Sequence, residues 1–75
     1  MNLEIRNILT FKGSEHYARF TVRDAGGSFA TFHRHEIGYP WNVEWHRNLD
    51  VEVMYDVLTY AIDFIRSNKL CSHRL

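Results

Sequence analysis

The segment His33-Arg34-His35 carries the residue types and spacing most suited to chemistry. Side chains two apart on a strand leave from the same face, so both imidazoles could reach one metal ion. Zinc asks for three or four ligands in tetrahedral array, and His46 or Glu44, lying across a ladder, would supply the next. A site built from His33, His35 and His46 therefore depends on strand register. Outward positions of a sheet commonly hold polar residues with no such role. That plainer reading is preferred, and no metal or cofactor is expected.

Nucleophilic catalysis has less behind it. Cys71, Ser14, Ser28 or Ser67 would each need a base and an orienting partner converging on a pocket. The three serines fall where turns and helix ends use hydroxyls routinely. Glu52, Asp56 and Asp63 are carboxylates at helical spacing, which a solvated helix face explains without acid–base chemistry. No enzymatic activity is expected.

The elements that would position these side chains follow from periodicity. Residues 3 to 11 alternate, with Leu3, Ile5, Leu9 and Phe11 on one face, and the break at Asn7-Ile8 reads as a bulge or an edge. Lys12-Gly13-Ser14-Glu15 is turn chemistry. Residues 16 to 24 alternate again, with Ala18, Phe20 and Val22 on one side and Tyr17, Arg19, Thr21 and Arg23 on the other. Asp24-Ala25-Gly26-Gly27-Ser28 is a hairpin signal, because its two glycines tolerate positive φ. A third strand over about 28 to 36 puts Ala30 and Phe32 on one face, and Phe29, Thr31, His33 and His35 on the other.

Gly38-Tyr39-Pro40 turns the chain into a fourth strand, in which Trp41, Val43 and Trp45 alternate with Asn42, Glu44 and His46. From Asn48 the period becomes 3.6. Val53, Met54, Val57, Leu58, Ala61, Ile62, Phe64 and Ile65 form an apolar face, while Asn48 or Asp50 is placed to cap the helix. The expected fold is α+β: a four-stranded antiparallel β-meander with one C-terminal helix on one face, ββββα. Residues 1–70 form a single domain, and 71–75 a flexible tail. If Pro40 closes a short loop, Phe32 lies opposite Trp45.

This register gathers Tyr17, Arg19, Arg23, Phe29, His33, His35 and Glu44 on the outer sheet face. Aromatic residues and Arg are the types that anchor protein interfaces, so this face is the expected partner-binding surface. Glu52, Asp56 and Asp63 on the helix form a secondary one. An edge strand offers a route to a homodimer. Single-stranded nucleic acid is the alternative ligand, since Tyr17 and Phe29 stand among basic residues as in stacking platforms. The balance of nine basic against nine acidic side chains argues against it.

At 75 residues the chain supports one core. A lone cysteine excludes an internal disulfide, which leaves five Phe, four Tyr and two Trp as the main source of buried area. The opening Met1-Asn2-Leu3-Glu4 lacks the basic-then-apolar pattern of a secretory signal. No apolar run approaches the roughly 18 residues of a membrane span. A cytoplasmic protein is expected.

Size, charge neutrality, a sheet-plus-helix layout and the absence of a catalytic motif together resemble the small accessory proteins of bacteriophages, the anti-CRISPR inhibitors among them. The resemblance lies in the layout of the whole chain and not in a motif, so it assigns no residue a role. It implies a stoichiometric inhibitor that docks on a host defence complex in the host cytoplasm and does no chemistry.

Overall fold

A computed structural model describes residues 2–10, 17–68 and 70. The expectations for Phe11, the Lys12–Glu15 turn, Ser14, Cys71 and the 71–75 tail lie outside the described residues. Four strands precede one helix: β1 (Glu4–Thr10), β2 (Ala18–Asp24), β3 (Gly27–Arg34), β4 (Asn42–Trp45) and α1 (Val51–Ser67). The strands form one open antiparallel sheet in the order β1-β2-β3-β4. The ββββα meander read from the two periodicities is the observed fold, with β3 beginning one residue before its pattern and ending two residues sooner.

The core lies between the inner sheet face and α1. Phe20, Val22, Ala30 and Phe32 from the sheet meet Val57, Ala61 and Ile65 from the helix, with Trp41, Val43, Trp45 and Phe64 packed around them. Phe20 is the centre of this cluster. Its ring stacks on Phe32 at 5.2 Å and meets Phe64 at 4.8 Å and Trp41 at 5.5 Å. Asp50 occupies the N-cap position with extended backbone but makes no side-chain cap bond. Asp50 and Glu52 therefore favour the helix start through charge against its dipole.

Turn geometry sets the registers and explains where they depart from simple alternation. The β2–β3 hairpin closes on Ala25 and Gly26, pairing Asp24 with Gly27. Gly27 at φ 129 supplies the backbone conformation this closure needs. Continued down the ladder, that pairing would leave the core positions one residue out of step. A bulge absorbs the difference: Arg23 pairs with Ser28 but Val22 with Ala30, so Phe29 is the extra residue.

A second bulge follows Arg6, where Asn7 takes φ 56. It reverses the parity of β1. Leu9 pairs with Arg19 and so lies on the outer face, not on the face of Ile5 as expected.

Between β3 and β4 the turn runs from Glu36 to Tyr39, with Tyr39 N–H donating to the Glu36 carbonyl at 3.0 Å and Gly38 at φ 95. Centring on Ile37-Gly38 instead of Pro40 sets Phe32 opposite Val43 and Ala30 opposite Trp45. The expected Phe32–Trp45 pairing is therefore wrong by two residues. A shift of two keeps every side chain on its face.

Arg47 holds the hairpin to the end of β4. It donates to the Ser28 and Gly27 carbonyls at 3.1 Å each, pairs with Asp24 at 3.1 Å, and lies 3.9 Å above the Phe29 ring. Arg47→Ala is expected to cost about 1–2 kcal/mol in urea unfolding, mainly through the lost carbonyl bonds and the uncovering of Phe29. Arg47→Lys should recover less than half of that, because an ammonium cannot span both carbonyls and the ring. Full recovery by lysine would show that charge alone matters there.

Candidate functional site

The outer face of the sheet is the face opposite α1, and the register arranges it in rows. One row runs Leu9, Arg19, His33, Asn42, and the next runs Arg6, Thr21, Thr31, Glu44. Arg19, Asn42 and Glu44 are exposed and His33 is half-buried. Among the described residues Arg19 has no ion-pair partner, whereas Arg6 and Arg23 both pair with Glu4, at 3.2 and 3.4 Å. An exposed guanidinium held on a regular strand without a local carboxylate is available to an incoming acid.

Beside Arg19 the chain builds an aromatic cluster. The His35 ring lies 6.3 Å from Tyr17, 6.2 Å from His33 and 6.3 Å from Tyr39, in each case edge to face. The end of β3 supplies the two imidazoles, the residue before β2 supplies Tyr17, and the Glu36–Tyr39 turn folds Tyr39 back over His35. These residues and Arg19 form one contiguous patch. Tyr39 was not among the expected contacts. Its signal was the Gly38-Tyr39-Pro40 turn, which reads as a chain reversal and not as a side-chain platform.

Of the expected surface, Tyr17, Arg19, His33 and His35 come together. Phe29 does not join them. It is only 3% exposed, because the bulge turns it into the core and Arg47 covers it. Arg23 is tied to Glu4 and donates to the Asp24 carbonyl at 3.2 Å, two rows beyond Arg19. Glu44 is exposed but lies opposite Thr31, beside the patch and not within it.

The His33, His35 and His46 metal set is not assembled. The observed register places His46 next to Phe29, to whose carbonyl its N–H donates at 2.9 Å, whereas His33 faces Asn42. Both ring nitrogens of His46 are also engaged, Nδ1 with Ser28 Oγ at 2.6 Å and Nε2 with Thr31 Oγ1 at 3.0 Å. Among the described residues no three His, Cys, Asp or Glu side chains converge on a metal position.

Among the described residues the Ser28–His46 contact is the nearest approach to a nucleophile and base. The group on the far nitrogen of His46 is the Thr31 hydroxyl, itself 3.4 Å from Thr21 Oγ1. A neutral hydroxyl cannot stabilise an imidazolium as a buried carboxylate does. Arg47 is spent on carbonyls and the Phe29 ring. The arrangement is a hydroxyl–imidazole chain that ties β3 to the end of β4. On the other side of the molecule, Asp63 lines an open recess of about 270 Å³ with Ile5, Tyr60 and Phe64. Glu52, Asp56 and Asp63 are all exposed on α1.

Arg34 escaped the sequence reading although its parity with Ala30 and Phe32 marks it as inward-facing. It is 0% exposed. Its Nη1 donates to the Leu70 carbonyl at 2.7 Å, and its guanidinium lies 5.4 Å from the centre of the Trp41 ring. Trp41 Nε1 donates to the same carbonyl at 3.0 Å. Arg34 thus fastens the segment after α1 to the sheet.

Among the described residues no helix is long and apolar enough to cross a membrane. Comparison with protein-family models, with curated proteins and with solved structures finds no match for this chain.

Proposed function

We propose that this chain is a non-catalytic binding module that docks a protein partner on its outer sheet face, through Tyr17, Arg19, His33, His35 and Tyr39. The observation that carries this reading is the juxtaposition of an exposed Arg19, without an ion-pair partner among the described residues, with the four-ring cluster around His35. Arginine and tyrosine at the centre of a surface patch are the residue types that dominate interface energetics. The complementary partner surface presents a carboxylate to Arg19 and an apolar or aromatic group to the Tyr17–Tyr39 side. In its specific form, the partner is a host defence complex that the chain, carried by a phage, inhibits by occupying a surface in the host cytoplasm.

The test is capture of a partner from a host lysate by the wild-type chain, followed by calorimetric titration of the identified partner. Arg19→Glu combined with His35→Ala is expected to weaken binding at least tenfold, with the far-UV spectrum unchanged. Asp56→Lys with Asp63→Lys should leave the affinity within about twofold. Wild-type affinity in the outer-face variant would remove that face as the contact, and loss in the helix variant would move the site to α1. A captured oligonucleotide whose affinity falls steeply with salt would replace the protein reading with the nucleic-acid one.

A further inference from the structure

We infer that the solvent flank of α1 is a homodimer interface, on which a second copy of the chain lays its own α1 antiparallel. The flank carries Val51, Tyr55, Leu58 and Ile62 at steps of four, three and four, the spacing of a two-helix seam. Val51 is 81% exposed, Tyr55 67% and Ile62 44%, while Leu58 in the middle is half-buried against the core. The intramolecular core already has its own helical residues in Val57, Ala61 and Ile65. The seam is therefore a second apolar line on the same helix, flanking the one that faces the sheet.

Charge identifies the occupant. Along one side of the seam, at intervals of seven, stand Glu52, Thr59 and Arg66, all exposed. An acid, a neutral residue and a base in that order complement the same sequence read backwards. Two antiparallel copies bring Glu52 of each beside Arg66 of the other, with Thr59 meeting Thr59 near the twofold axis. The same alignment places Ile62 of one copy between Tyr55 and Leu58 of the other, brings the two Leu58 side chains close to the axis, and opposes the two helix dipoles. Parallel pairing would place Glu52 against Glu52 and Arg66 against Arg66.

The chain's formal charge of zero leaves little long-range repulsion to resist self-association. The sheet edges offer less to a second copy. β1 is kinked by Asn7, and β4 is only four residues long. This interface is independent of the outer-face site, which lies on the other side of the sheet.

One helix flank against another buries less than about 1,200 Å², the range of weak specific contacts. Sedimentation velocity of the full chain between about 10 μM and 1 mM should therefore show a concentration-dependent shift to dimer. Ile62→Glu is expected to hold the chain monomeric throughout. Glu52→Arg and Arg66→Glu should each weaken dimerisation about tenfold, since each sets like charges together at both ends. An equimolar mixture of those two variants should restore it, because one then carries two bases and the other two acids. These positions are exposed, and if Ile62→Glu nonetheless unfolds, the charge-reversed mixture decides the matter alone. A wild-type chain that stays monomeric at every concentration overturns the proposal, as does a mixture no better than its components. A dimer that survives all three helix variants and is lost with Ile8→Lys belongs to the β1 edge, and overturns it equally.

Discussion

Phe20→Ala is expected to cost about 3–5 kcal/mol, the range for removing a buried aromatic ring. A chain of this length has total stability on the order of 4–11 kcal/mol. Most of the folded population margin should therefore vanish, and a large unfolded fraction should be visible by circular dichroism in dilute buffer. The reason is topological. Phe20 touches β3 through Phe32, the β4 approach through Trp41 and the helix through Phe64, so one truncation loosens the contacts of three elements. Phe20→Leu keeps most of the volume and should lose no more than about 1–2 kcal/mol. A urea midpoint for Phe20→Leu within error of the wild type would show that the stacked ring contributes little beyond its volume.

Arg34→Ala should be nearly as damaging, with a loss of about 3 kcal/mol. It empties a fully buried volume and removes a charged donor from the Leu70 carbonyl. The loss is bounded because Trp41 Nε1 still serves that carbonyl. Arg34→Lys is expected to fall between, at about 1–2 kcal/mol, since an ammonium can reach the carbonyl but cannot lie flat on Trp41. Amide hydrogen exchange separates this effect from general destabilisation. In Arg34→Lys the Leu70 amide, which donates to the Ile65 carbonyl at 2.8 Å, should lose protection before the β2–β3 amides do. Uniform loss across the sheet would mean that Arg34 supports the core at large and not the segment after the helix.

Much of the architecture was legible because β2 is unbroken. Its strict alternation assigns Ala18, Phe20 and Val22 to the helix side, and the change of period near Asn48 supplies the layer that covers them. What was not legible lay in the connections, where no periodicity exists to read. Pro40 looked like the pivot of the β3–β4 turn, yet Gly38 takes the positive φ and recentres it, which separated His46 from His33. Phe29 looked outward by simple parity. The conflict between a two-residue hairpin and the core register appears only when both are drawn together, and the bulge that resolves it took Phe29 out of the candidate site.

The site itself was half visible. Tyr17, Arg19, His33 and His35 share a face by alternation in two neighbouring strands, so pattern alone collected them. Tyr39 needed the geometry of a turn. Arg47 needed the position of a hairpin nineteen residues earlier. Arg34 obeyed the pattern but carried a charge, and a charged residue at an inward position signals a specific partner that only the fold can show.

The bond from Arg34 to the Leu70 carbonyl joins residues 36 apart in the chain. Synthesis runs from the N-terminus, so all four strands are made before the residue whose carbonyl receives this guanidinium. Without the helix and the segment after it, Phe20 lacks its Phe64 contact and Arg34 its carbonyl acceptor, so sheet and helix are expected to fold as one cooperative unit.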